Sequence, residues 1–293
     1  MTLRESGSVW RGLLWISPWI IGVLCFMVAP IGMSVYYSLT DYTLLEPPVW
    51  IGLENYRELV HDRMFLIAGR NTLCFALGSV AGSTVISIAL AVLLERPLLG
   101  AGLVRAIVFL PTLVPVVSAC VCFLWLYNGQ YGLLNGILGG LGIDGPDWLG
   151  QRALAMPSLI VMSFWIVGSP VIIYAAALKD VPRSLYEAAD LDGVTGAGRF
   201  LHVTLPMISP AVVFNGLMSL IWAMQVFAPP QIMTRGGPEN STLVYSMYVY
   251  LNAFNYGRMG YASALAWIQV LVTLGLTTAM VAMVKRFVYV RAA

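Results

Sequence analysis

Residues Glu187–Pro206 read EAADLDGVTGAGRFLHVTLP and carry Glu187, Asp190, Asp192, Arg199 and His202 in one short connection. On either side the chain avoids charge: Ala153–Leu178 and Leu201–Thr234 contain no Asp, Glu, Lys or Arg. Working outward, the same silence recurs in Gly12–Thr40, Asn71–Leu94, Ala106–Ile143 and Met259–Val284. Each interval exceeds the roughly 20 apolar residues that carry a helix across a bilayer. In lipid every backbone polar group needs a partner within the chain, and a helix supplies it. A barrel would alternate polar and apolar residues over segments of about ten; these runs are continuous. The expected fold is therefore an all-α integral membrane protein with six transmembrane helices. They are placed near Leu13–Leu39, Thr72–Leu94, Ala106–Tyr127, Met156–Leu178, Ser209–Ala228 and Tyr261–Val284.

Composition agrees. Of 293 residues 59% are hydrophobic and 10% charged, against roughly 25% charged in a soluble domain. The first apolar stretch is longer than a cleaved signal peptide and is expected to remain as a helix. With the N-terminus inside, the inner segments carry Arg4, Arg11, Arg96, Arg105, Lys179, Arg183, Arg199, Lys285, Arg286 and Arg291. The outer loops carry Arg57, Arg63, Arg70, Arg152, Arg235 and Arg258. Ten against six favours both termini in the cytoplasm, and the quoted connection with them. The net charge of +2 and the absence of a basic run give no reason to expect nucleic acid. Cys25, Cys74, Cys120 and Cys122 all sit in apolar runs and read as small apolar side chains.

Several loops have local signals. Gly52–Leu59, GLENYREL, suits a short helix at the outer surface. Gly78 and Gly82 form a GxxxG pair that lets helices approach. Thr234–Gly257 is aromatic and suits a helix lying flat at headgroup depth. In the connection, Ser184 and Glu187 have capping-box spacing. The expected helix runs to about Asp192, with Gly193 as a permissive turn. Thr195 is the expected cap of a second short helix ending before Pro206. The divisions are 1–70 (first helix and outer loop), 71–284 (a core of five spans, with the connection at 179–208) and 285–293 (a short inner tail).

Glu187-Ala188-Ala189, three residues, Gly193, nine residues, then Val203-Thr204-Leu205-Pro206 resembles the EAA signature of ABC importer permeases, with Val203 where Ile is usual. The stretches NTLCFALGSVAGSTVISIALAVLLE (71–95), FLPTLVPVVSACVCFLWLY (109–127), TRGGPENST (234–242) and YASALAW (261–267) resemble the carbohydrate-uptake branch. The resemblance is to MalF-like (LacF- and UgpA-like) permeases, with a MalF/MetI-like permease core, and covers nearly the whole chain. The ending soon after Arg286, without a longer glycine-containing tail, suggests the MalF-like half beside a MalG-like partner. The resemblance implies a multi-pass protein of a prokaryotic inner membrane. It implies a second permease, two ABC ATPase subunits and an extracytoplasmic solute-binding protein as partners, besides membrane lipid. In it, the connection docks on the ATPase. Glu187 makes the polar contact, Ala188 and Ala189 permit close fit, Gly193 sets the bend, Leu205 and Pro206 return the chain to the membrane, and Asp192 belongs to the same coupling surface. ATP binding turns the pore outward and hydrolysis resets it. Gly236, Gly237 and Pro238 are candidates for touching the binding protein. The chain holds no GxxxxGK[ST] phosphate loop, so ATP and Mg belong to the partner ATPase. No cofactor, metal or enzymatic activity is expected of this chain.

The spans contain uncharged polar groups. Asn215, Ser219 and Trp222 lie at i, i+4 and i+7 of the fifth helix, with Gln225 a turn on. Ser163, Trp165 and Ser169 lie in the fourth. An indole beside hydroxyls and amides suits a sugar, and the resemblance places the solute between these two helices. The spans lack the ionisable group a proton- or sodium-coupled carrier commonly keeps, which points to a neutral or zwitterionic solute. Alternatives are a glycerol-phosphate-type or polyol solute, and an ATP-independent carrier.

Overall fold

The computed structural model describes residues 3–95 and 100–284. Arg96 and the tail 285–293, with Lys285, Arg286 and Arg291, lie outside the described residues. Helix α1 (Leu3–Val23) and α2 (Ala29–Ser38) are joined by a π turn, Leu24–Val28. Proline explains the turn. Pro30 has no N–H, and its ring would strike the carbonyl four residues back. In the π turn the Ala29 N–H donates to the Leu24 carbonyl, five back, which opens the helix ahead of Pro30. A two-strand ribbon follows, β1 (Thr40–Asp41) antiparallel to β2 (Val49–Trp50), then α3 (Glu54–His61), the expected short outer helix.

Helix α4 (Arg63–Leu94) is unbroken. The third expected span is not one rod. It is α5 (Ala101–Phe109), a 3-10 turn Leu110–Leu113, and α6 (Val116–Leu126), bent by 101°. Val114 has ψ 127°, the extended conformation that a following proline, here Pro115, imposes. After a short outer helix α7 (Leu133–Gly140), the fourth span also breaks. Helix α8 (Arg152–Ser163) passes through a 3-10 turn, Phe164–Ile166, into α9 (Gly168–Lys179) with a bend of 52°. Pro170 removes the N–H that would bond back across the break. With Gly12–Ser38, Arg63–Leu94, Ala197–Met224 and Met259–Met283, the described residues give four unbroken spans and two bent ones.

The connection holds α10 (Arg183–Leu191). The one-turn helix α11 (Ala197–Arg199) then runs through a π turn, Phe200–Thr204, into α12 (Leu205–Met224). Two expectations are corrected here. Pro182 occupies the N-cap of α10 and no side chain caps it, so Ser184 and Glu187 form no capping box. The second helix does not end before Pro206 and is not capped by Thr195; it starts after Gly196 and continues into the membrane. The π turn again precedes a proline by two residues: Leu205 N–H donates to Phe200 O, and Pro206 follows within the helix. Last come α13 (Tyr245–Tyr250), a π turn Leu251–Asn255, and α14 (Met259–Val284). The aromatic outer stretch thus contains a helix, one side of which packs into the chain. Tyr245, Met247 and Tyr248 are buried, whereas Tyr250, Phe254 and Tyr256 are exposed.

The chain divides into two units, Met1–Asp62 with Val249–Ile268, and Arg63–Tyr248 with Gln269–Ala293. In the first, Asn55 Nδ2 donates to the carbonyls of Ser38 and Thr40, both at 2.9 Å, and fixes α3 under the end of α2. Tyr261 donates to Asp62 at 2.6 Å, and Trp267 to Ser34 at 3.1 Å. Arg258 pairs with Glu58 and lies over the Tyr261 ring. In the second, a core of Ile88, Ala91 and Leu94 of α4, Val167, Val171 and Tyr174 beside and within α9, Val181, and Ile208 of α12 joins three spans. The GxxxG pair seats the α8 half of the fourth span and its following turn: a Cβ on Gly78 would come 2.8 Å from Ile160, and one on Gly82 would strike the Phe164 ring.

Candidate functional site: the charged connection and the open face of α12

The connection is folded tightly onto the second unit. Tyr186 and Phe200 pack against the three-span core, and Val181 belongs to it. The Tyr186 hydroxyl lies 3.2 Å from Thr204 Oγ1, and Arg199 donates to Asp190 at 2.9 Å while stacking over the Tyr186 ring. The end of α10 is a Schellman motif. Val194 N–H donates to Ala189 O and Gly193 N–H to Asp190 O, with Gly193 at φ +74°. Gly196 makes the second turn at φ 56°, ψ −121°, a region that excludes residues with a Cβ.

This geometry sorts the sequence candidates. Glu187, Ala188, Asp192 and Gly193 are exposed. Ala189 is 7% exposed and packs inward, so its small side chain serves the fit of α10 on its own chain. Leu205 and Pro206 are half-buried at the start of α12. One residue was missed: Leu191 is 90% exposed, an apolar side chain one helical turn from Ala188. Its spacing of three from Ala188 was the available signal.

In the spans, Asn215, Ser219 and Trp222 do share one face of α12, and that face emerges from the core along its length. Ile208, seven residues earlier, is 0% exposed, Asn215 5%, and Trp222 78%; Ser219 is half-buried and Gln225 exposed. The Asn215 Nδ2 and the Tyr174 hydroxyl are both buried, and neither has a hydrogen-bond partner among the described residues. Ser163 spends its hydroxyl on Ile160 O at 2.6 Å, and Trp165 meets Phe123 edge-on at 5.7 Å. Ser169 is exposed at the start of α9. Asn215, Ser163 and Trp165 thus pack within the chain, while Ser169, Trp222 and Gln225 face outward.

The outer loop is equally ordered. Thr242 donates to Gly237 O at 2.8 Å and lies 2.6 Å from Thr234 Oγ1. Asn71 donates to the carbonyls of Asn240 and Leu243, and Tyr245 N–H to Thr72, pinning the loop to α4. Gly236 is buried at φ +82° and Gly237 and Pro238 are half-buried. The exposed tip is Arg235, Glu239 and Asn240, with Glu239 paired to Arg152 at 2.8 Å. Burial raises the pKa of the Tyr245 hydroxyl beneath it, and Tyr248 adds to the shift.

The family model described as "Binding-protein-dependent transport system inner membrane component" matches residues 70–288. A probable ABC transporter permease of Bacillus subtilis, YesP, is 38% identical over 94% of this chain and 92% of its own. A trehalose/maltose transport system permease, MalF of Thermococcus litoralis, is 31% identical over 91% and 90%. The fold is that of a bacterial ABC transporter involved in the import of the acidic polysaccharide alginate. Its TM-score is 0.83 at 24% identity, covering 98% of this chain and all of that one. With its membrane helices, its EAA connection and a family match across three-quarters of its length, the chain belongs to the binding-protein-dependent ABC transporter permeases, inner-membrane transport subunits rather than enzymes.

Proposed function

We propose that this chain is one of two permeases that form the path of a saccharide importer, driven by separate ATPase subunits through Glu187–Pro206. The observation that carries the reading is mechanical. An exposed face of Glu187, Ala188 and Leu191 is mounted on a connection whose inward side, Val181, Tyr186 and Phe200, is packed into the core of α4, α9 and α12. Movement imposed on that face reaches three spans without slack, because close-packed interiors transmit displacement. Charge at Glu187 and Asp192 keeps the face wet until a soluble partner covers it. ATP and Mg act on that partner.

The outward half of α12 supplies the path. Trp222 offers an aromatic face and Gln225 polar atoms, a set suited to a hydroxyl-rich, uncharged ligand. The second permease faces this surface, and the extracytoplasmic binding protein delivers solute to the outer loop at Arg235, Glu239 and Asn240 beside Gly236–Pro238. Relatives named for lactose, trehalose/maltose and diacetylchitobiose support a saccharide.

The test is Glu187→Lys. The variant should reach the membrane in normal amount and lose solute-stimulated ATP hydrolysis by the purified complex. Full stimulation would remove Glu187 from the coupling role.

A further inference from the structure

The second unit contains a cleft of about 250 Å3 between α5 and α9 that the transport reading leaves without a role. Its walls are apolar, including Val108, Phe109, Ile172 and Ala176, and its rim carries two cations, Arg105 and Lys179. Ile172 and Ala176 are exposed, so the cleft opens sideways. At the far end Gly168 closes it: a Cβ there would lie 2.7 Å from Val108 O. Arg105 is exposed and, among the described residues, donates to a backbone carbonyl, Leu94 O, at 3.3 Å. Lys179 lies 3.9 Å from Glu95. Asp180, next in sequence, is exposed.

Length and charge together select the occupant. The eleven steps from Gly168 to Lys179 span roughly 16 Å, about half of a hydrocarbon core of roughly 30 Å. The apolar walls therefore reach one leaflet deep, with both cations at headgroup level. By the charge bias that leaflet is the cytoplasmic one, where anionic lipids attract Lys and Arg. A soluble anion would use the rim and leave the walls empty.

We propose that this cleft holds one anionic phospholipid of the inner leaflet, its phosphate on Arg105 and Lys179 and an acyl chain along Val108, Phe109, Ile172 and Ala176. The bound lipid fills the space between the bent third span and the half of the fourth that leads into the connection. The inference is independent of which solute is carried.

The test is native mass spectrometry of the full-length chain with its bound subunits, in nanodiscs of phosphatidylcholine containing a minority of phosphatidylglycerol. The wild-type chain should retain one phosphatidylglycerol. Arg105→Gln with Lys179→Gln should lower that retention by about 30-fold, from the loss of two basic side chains at the anionic headgroup. Ala176→Phe, at an exposed position, fills the cleft with both charges intact and should lower it as well. It decides the matter if the double variant does not fold. Unchanged retention in Ala176→Phe, or release of the lipid by excess inorganic phosphate, would overturn the proposal.

Discussion

Leu191 shows how much a single side chain can be asked to do. A leucine 90% exposed at the tip of a charged connection is a ready anchor for a soluble partner, since burying it gains about 2 kcal/mol. Leu191→Asp should weaken ATPase binding by roughly 30-fold, measured by titrating the purified ATPase against the chain in nanodiscs. The two glycines differ in the same region. Gly193 is in the left-handed region, where alanine costs about 1–2 kcal/mol. Gly196, at ψ −121°, has no such fallback. Gly196→Ala should therefore open the connection to trypsin at Arg199 more than Gly193→Ala does, compared by cleavage rate in inside-out vesicles. The spacing of Glu187, Gly193 and Pro206 was plain in the sequence. Leu191 was not, because a lone leucine between two aspartates becomes an exposed anchor only once α10 turns its opposite side, Ala189, inward.

At the scale of elements, charge-free length placed all six spans but said nothing of their continuity. The breaks at Val114 and Val167 come from Pro115 and Pro170. Pro18, Pro30 and Pro206 sit within continuous helices, the last two behind π turns. Whether a proline bends a span or is absorbed depends on the preceding turn, which hydropathy does not record. The GxxxG pair is clearer. Gly82→Ala would drive a methyl against Phe164, an overpacking worth about 1–3 kcal/mol. Gly69→Ala, with open space around it, serves as the control on the same helix. Thermal unfolding followed by size-exclusion chromatography should show a lowered midpoint for Gly82→Ala and little change for Gly69→Ala. Asn71→Ala removes both bonds to the outer loop, at about 1 kcal/mol each, and should raise the rate of cleavage at Arg235 by outside protease.

At the scale of the whole molecule, the proposed function assigns the soluble partners on one side of the membrane to Glu187–Pro206 and those on the other to Arg235–Asn240. The solute stripe was legible only in part. Helical spacing put Asn215, Ser219 and Trp222 on one face, yet the lower end of that face is covered by the chain's own core and the upper end is open. Periodicity gives a side chain its direction, not its cover. In a background without Cys25, Cys74, Cys120 and Cys122, a cysteine replacing Leu191 should react only with reagent admitted to the cytoplasmic side. One replacing Asn240 should react only from outside. The most direct measurement of the central claim places a photo-crosslinking amino acid at position 191 in the native membrane and identifies what it captures. The account requires a nucleotide-binding ATPase subunit, with capture lost in Glu187→Lys. Capture of lipid alone, or of an ATPase equally well in Glu187→Lys, would contradict it.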